Sequence, residues 1–325
     1  LHSFECNDAT TLYAGALEVP WNHWLDPSVS IAVTTTGKLP PPPRDSKKPL
    51  RTHVFASQVI KDAIVDRVRE QHGIRPDVVP RDPDVRVVAR IFGDRCGLFL
   101  DATGSPLNWR GYRHTSVKAP LTETAAAAFL HDAGYTGSRA LVDPMCGSGT
   151  IAIEAGMMAA GIAPGGERAF GIERWPLVPD KFHHALERVR QKARNIRRAA
   201  NKQPRTMVQG FDVDPEAVTA ARTNAKMAGV GGWVHFDVAD IADLQPPAAG
   251  TLVATNPPYG ERIGDDVVEL YKTMGAVLGN CKGCDLAILD GHDSFPDAFG
   301  LAPERTSRMR NGQLKILLHH WRVEA

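Results

Sequence analysis

Apolar positions along the chain fall into two rhythms. In the first, "VSIAVTTTG" (29–37) alternates in the manner of a strand. "ASQVIKDAIVDRVREQHG" (56–73) then repeats Val59, Ile60, Ala63, Ile64 and Val68 at helical spacing, and Gly73 supplies a stop. "DVRVVARIFGDRCGLFLDATG" (84–104) reads as two strands around a short turn. These elements predict a small α+β unit over residues 29–104. The Pro- and charge-rich stretch "PPPPRDSKKP" (40–49) within it predicts an exposed loop.

The second rhythm begins near residue 116. "LTETAAAAFLHDAG" (121–134) has a helical pattern, "RALVD" (139–143) that of a strand, and "TIAIEAGMMAAG" (150–161) that of a helix. A strand at 205–214, a helix at 215–229 and strands at 232–240, 250–260 and 285–291 follow. Strands alternating with helices predict an α/β fold, a parallel sheet with right-handed crossovers. The end breaks the rhythm: "ERTSRMR", then Asn311-Gly312, then "QLKILLHHW" is a β-hairpin signal.

A length of 325 residues suggests two domains at roughly 100–200 residues each. With 43% hydrophobic and 23% charged residues, the composition is that of a globular protein. No apolar run reaches the roughly 18 residues that a membrane span needs. "LHSFECNDAT" has neither the basic start nor the apolar centre of a signal peptide, and an opening Leu1 suggests a chain that begins inside a longer one. Five cysteines do not form a disulfide framework, which predicts a reducing cytoplasm. "CKGC" (281–284) lacks a second pair or nearby histidines, so plain thiols are expected there and no metal. A net charge of +1 means that any nucleic-acid footprint is local.

Candidate chemistry lies at the ends of the second set of strands. "LVDPMCGSGTIAIEA" (141–155) sets a Gly-rich turn between a strand and a helix, where Gly147 and Gly149 permit close approach of a ligand to the backbone. Thr150 stands where a triphosphate-binding loop needs Lys. Asp143 would repel a phosphate and suits a ligand carrying an ammonium group. In "GFDVDP" (210–215), Asp212 is placed to grip a ribose, while Asp214 is either a reserve for that role or a helix cap. In "FDVADIADL" (236–244), Asp240 is either an acceptor for an adenine amine or a helix-start residue. The three stations in order describe a pocket for adenosine with a zwitterionic tail, that is, S-adenosylmethionine.

"DPMCGSGT", "GFDVDPEAVTAARTNAKMAG" and "TNPPYGER" (255–262) closely resemble the class I RNA guanine-N2 methyltransferases that carry a THUMP domain, especially the bacterial 23S rRNA m2G family. "LNWRGYRHTSVKAPLTET" (107–124) is similar to that family's joint between domains, and residues 61–87 are similar to its THUMP. The resemblance implies a Rossmann-like catalytic domain over 121–325, a linker over 105–120, and a THUMP RNA-binding domain over 29–104. Residues 1–28 would be the tail of a longer ferredoxin-like region. It also adds Thr122, Glu123 and Cys146 to the cofactor-binding set, alongside Asn256.

Catalysis is expected at Asn256 and Pro257. The Asn256 side-chain oxygen and the Pro257 carbonyl can accept the two hydrogens of an exocyclic base amine, and Tyr259 offers a stacking face. "RVRQKARNIRRAANKQPR" (188–205) has eight Lys or Arg and no acid, which nominates Arg194, Arg197 and Arg198 for RNA phosphates. "WRGYR" (109–113) nominates Arg110 and Arg113. The leading expectation is guanine-N2 methylation of 23S rRNA. The same chemistry on tRNA, or a non-catalytic THUMP RNA-binding protein, are the alternatives.

Overall fold

The computed structural model describes residues 2–42, 45–46, 48–113, 121–202, 207–258, 266–292, 294–311 and 314–324. Two compact units emerge, Leu1–Pro106 with Arg168–Arg188, and Leu107–Glu167 with Val189–Ala325.

The first unit contains β1 (His2–Glu5), α1 (Ala9–Leu17), β2 (Ser30–Lys38), α2 (His53–His72), β3 (Asp77–Val78), β4 (Val85–Phe92) and β5 (Arg95–Leu100). Its five-stranded sheet has the order β1-β5-β4-β2-β3. Helix α2 buries Ala56, Ile60, Ala63, Ile64 and Val68, the stripe seen in the sequence. It starts three residues earlier than the apolar pattern does. Thr52 caps it there, its hydroxyl accepting from the Phe55 N–H, and Gly73 at φ 74° ends it.

Two boundaries of the sequence reading move. Residues 1–28 are not set apart: β1 pairs antiparallel with β5, and Leu12, Ala16, Trp21 and Leu25 join the same buried core as Ile60 and Val87. Residues 168–188 also belong here, because Trp175 packs into that core and Arg174 pairs with Asp82 at 2.9 Å.

The second unit contains α3 (Glu123–Asp132), β6 (Leu141–Asp143), α4 (Thr150–Ala159) and, from Val189 onward, the last part of α5 (Asp180–Ala200). Then come β7 (Val208–Asp212), α6 (Pro215–Met227), β8 (Val234–Val238), β9 (Leu252–Thr255), α7 (Asp266–Leu278), β10 (Asp285–Asp290), α8 (Phe295–Phe299), β11 (Arg305–Asn311) and β12 (Leu314–Arg322). The sheet order is β11-β12-β10-β9-β6-β7-β8. Strands β6 to β10 run parallel, and β12 returns antiparallel on β10 with β11 as its hairpin partner. The hairpin turn expected at Asn311-Gly312 falls partly outside the described residues.

Alternate residues of one strand enter opposite cores. Leu252 and Ala254 lie in the core with α3, α4 and α6, while Val253 lies with α7 and α8; Ala287 and Leu289 divide from Leu286 and Ile288 in the same way. Burial on both faces explains why these strands read as continuous apolar runs. The result is the Rossmann-like α/β architecture expected, closed by an antiparallel hairpin.

Candidate active site

Strand order reverses at β6. The chain moves from β6 through β7 to β8 on one side, then returns to β9 and β10 on the other. Ligands of open α/β sheets bind outside the strand C-termini at such a point. Asp143 ends β6, Asp212 ends β7 and Asn256 follows β9.

Asp143 is buried. It accepts from the Thr255 hydroxyl at 2.8 Å and from the Met145 N–H at 3.3 Å. Loss of solvation lifts its carboxyl to about 7; the two hydrogen bonds oppose that rise, and the charge of Asp212 adds to it.

The turn that follows is held by backbone. Cys146 N–H donates to the Phe211 carbonyl at 2.7 Å, and Gly147 N–H donates to Asp212 Oδ2 at 2.8 Å. Gly147 sits at φ 52° and Gly149 at φ 85°, left-handed values that suit glycine. A Cβ on Gly149 would come within 2.9 Å of Ala221 Cβ and of the Phe236 ring, so this glycine also lets α4 pack close to its neighbours. The Cys146 thiol is buried and is pushed up by burial and by the nearby Asp143 and Asp212.

Asp212 has a structural task beside the one expected of it. Its Oδ2 holds the glycine turn, and its Oδ1 accepts from the Asp214 N–H at 3.0 Å. Both oxygens of the carboxylate are thereby fixed by backbone N–H groups. Asp214 caps α6, accepting from the Glu216 N–H at 2.8 Å with Pro215 in the first turn. Asp240 starts a single 3-10 turn, accepting from the Ala242 N–H at 2.9 Å through Oδ1.

Thr122 caps α3. Glu123 is buried against Arg113 at 3.4 Å. Arg113 also donates to Thr150 Oγ1 at 3.0 Å and to the Leu121 carbonyl at 2.8 Å, which ties the start of α3 to the start of α4. Arg110 reaches the buried Glu154 at 3.4 Å, and the Tyr112 hydroxyl donates to that same carboxylate at 3.1 Å.

This corrects the sequence reading of "WRGYR". Arg110 and Arg113 expose only 11% and 17% of their side chains and are spent on internal carboxylates. Withdrawing either toward a phosphate would strand a buried acid. Glu154, a lone carboxylate within the apolar run "TIAIEAGMM", was the available sequence signal that a cation turns inward here.

Arg194, Arg197 and Arg198 lie instead on α5, which buries no residue. With Arg190 they line a cleft of about 270 Å³ whose far wall is the Gly161–Glu167 segment.

Asn256 is half-buried, and its Oδ1 atom is buried without a hydrogen-bond partner among the described residues. Pro257 is buried. The Pro258 carbonyl accepts from the Tyr271 hydroxyl at 2.8 Å, so α7 holds the chain just beyond Asn256. Sequence reasoning missed Tyr271. The Tyr271 ring in turn meets His292 and Phe295 edge-on. Tyr259, expected to stack on the base, lies outside the described residues.

Among the described residues, no group of His, Cys, Asp and Glu is placed to hold a metal ion. Cys281 and Cys284 are both buried free thiols. No helix among the described residues is long and apolar enough to cross a membrane.

Residues 6–101 match the THUMP domain profile, and residues 110–320 match the profile described as "RMKL-like, methyltransferase domain". The chain is 36% identical over 330 residues to "Ribosomal RNA large subunit methyltransferase K/L" of Psychromonas ingrahamii, covering 99% of this chain and 42% of that protein. It is likewise 36% identical to the protein of the same name from Syntrophotalea carbinolica, covering 97% of this chain and 44% of that one. The chain thus spans less than half the length of these relatives. Among solved structures, "SMU.472, a putative methyltransferase complexed with SAH" superposes with a TM-score of 0.86 at 29% identity, covering 100% of this chain and 83% of the other. With well over half its length matched, the chain belongs to the RMKL-like methyltransferase-domain family and carries a THUMP domain ahead of that match.

Proposed function

We propose that the chain transfers a methyl group from S-adenosylmethionine to the exocyclic N2 of a guanine in 23S ribosomal RNA. One observation carries the reading: the buried Asn256 Oδ1 at the end of a central strand, which has no hydrogen-bond partner among the described residues. An acceptor left in that state costs roughly 1–3 kcal/mol, which a substrate N–H relieves on arrival.

Exocyclic amines are poor nucleophiles because their lone pair is delocalised into the ring. Asn256 Oδ1 and the Pro257 carbonyl accept the two amine hydrogens and draw the nitrogen out of conjugation, aimed for in-line attack. The surplus proton of the product amine leaves to solvent. Pro257 and Pro258 fix the backbone torsions that set this aim, and Tyr271 braces them from α7. Tyr259 stacks on the extruded base.

S-adenosylmethionine, when bound, supplies a methyl group on a positively charged sulfur. Asp143 faces its ammonium, Asp212 its ribose hydroxyls and Asp240 its adenine amine, and Cys146, Gly147 and Gly149 line the turn between, with Thr122 and Glu123 behind. Arg194, Arg197 and Arg198 meet RNA phosphates. The THUMP domain contributes further RNA contacts, and the work takes place in the cytoplasm.

The names of the ribosomal RNA relatives favour 23S rRNA over tRNA as the substrate. Mass spectrometry of nucleosides from both RNAs of a strain lacking the gene tests this. Loss of N2-methylguanosine from 23S rRNA alone is expected. Loss from tRNA would move the same chemistry to that substrate, and loss of N6-methyladenosine would overturn the guanine assignment.

A further inference from the structure

The β11–β12 hairpin reaches past the catalytic edge of the sheet. β12 pairs with β10 from Arg322 back to Leu317, where β10 ends at Asp290. Residues 314–316 therefore extend beyond the C-terminal end of β10, the edge at which Asn256 stands. In the hairpin, Arg308 lies opposite Leu317 and Arg310 opposite Lys315. Cross-strand partners share a face, and so do residues two apart. Arg308, Arg310 and Lys315 thus form one cationic patch at the tip. The opposite face, Met309 and Ile316, packs on the core.

The patch is unopposed. Arg308, Arg310 and Lys315 are exposed, and none has a hydrogen bond or an ion pair among the described residues. No acidic residue occurs between Glu304 and Glu324. Arg305, at the other end of β11, is by contrast held by Asp132 at 3.0 Å. Cations along an edge strand also guard against strand addition. Guarding does not require Lys315, which stands on the inner strand β12, and it does not favour crowding at the tip.

Distance fits a role beside the reacting base. Thr255 is level with Ile288, so Asn256 lies about three residues short of the Lys315 level and two strands away. At about 3.4 Å per residue and about 4.8 Å per strand, each offset is roughly 10 Å. That is the reach of a phosphate a few nucleotides from an extruded base.

We infer that this hairpin tip is an RNA contact surface, gripping phosphates of the strand that carries the target nucleotide. The inference rests on the RNA methyltransferase reading above. The test compares the full chain with its Arg308→Gln/Arg310→Gln/Lys315→Gln variant, all exposed positions. Binding of a short single-stranded oligoribonucleotide is followed against salt, together with single-turnover methylation of saturating ribosomal RNA. Each phosphate contact on a single strand contributes about 0.7 to the salt slope, so the variant should lose about 2. Its S-adenosylmethionine affinity and its saturating rate should stay within about twofold of the parent chain, since the patch touches neither the cofactor nor the amine.

An unchanged salt slope, with the parent chain binding RNA, overturns the inference alone. A parent chain that binds no RNA overturns the underlying reading and the inference with it. A variant that binds free RNA normally but fails on assembled ribosomal particles would assign the tip to an acidic protein surface, and the inference would be wrong.

Discussion

Thr255 donates its hydroxyl hydrogen to Asp143 at 2.8 Å, joining the ends of β9 and β6 where the strand order reverses. The bond links the strand that delivers Asn256 to the carboxyl proposed to face the cofactor's ammonium. Because burial raises that carboxyl to about 7, it is half-protonated near neutrality. A cationic ligand selects the ionised form, so cofactor affinity should rise with pH up to about 7 and then level off. Calorimetry across that range should show the rise in the parent chain. Asp143→Asn should bind more weakly, with the rise absent.

The same shift bears on stability. The native carboxyl keeps a proton that the unfolded chain has lost. The resulting stability is full below about pH 4 and disappears as pH climbs through about 7. Urea titrations should show the parent chain falling relative to Asp143→Asn between about pH 4 and about pH 7, and level above that. Equal pH profiles would mean that the site is more hydrated than its geometry implies.

Asp212→Ala should weaken S-adenosylmethionine binding by about 1.5–3 kcal/mol, because the ribose loses a charged acceptor and the glycine turn loses its anchor at Gly147. Asp214→Ala should leave affinity alone and cost about 1 kcal/mol of stability, the loss of a helix cap. Calorimetry and thermal melts of the pair separate the roles. Reversed outcomes would exchange the two residues.

The arginines divide in the same way. Arg110→Ala strands Glu154 in the core and should cost about 3 kcal/mol of stability at neutral pH. Burial already raises the Glu154 pKa, so the loss should shrink on acidification as Glu154 takes a proton. The salt slope of RNA binding should not move. Replacing Arg194, Arg197 and Arg198 together should lower that slope by about 2 while stability holds.

Much of this was legible from the chain. Strands buried on both faces and helices with one apolar stripe announce themselves, and Asp143, Asp212 and Asn256 could be placed because the first two end such strands and the third follows one. Residues 168–188 were not legible: Trp175 joins a core whose other members lie far away in sequence. The direction of Arg110 and Arg113 depended on Glu154 and Glu123, carboxylates buried by tertiary packing. Tyr271 was hidden for a related reason, since its hydroxyl donates to the Pro258 carbonyl, a contact made by tertiary packing.

Tyr271→Phe isolates that brace. The ring contacts with His292 and Phe295 remain, and one neutral hydrogen bond, worth about 1 kcal/mol, is lost. Turnover at saturating RNA should fall about fivefold, while the KM for RNA and the cofactor affinity stay unchanged. A change in KM alone would place Tyr271 in substrate binding and not in the aim of Asn256.

Single-turnover methylation of saturating ribosomal RNA by Asn256→Ala tests the central claim most directly. The acceptor reshapes the amine only as the transition state forms, so its loss belongs to the chemical step. Removing one preorganised electrostatic partner costs about 2.7–4 kcal/mol, or roughly 100–1000-fold in rate. The account predicts that loss with cofactor affinity and fold intact. A rate close to that of the parent chain would contradict it, because the end of β9 would then not be where the amine is held.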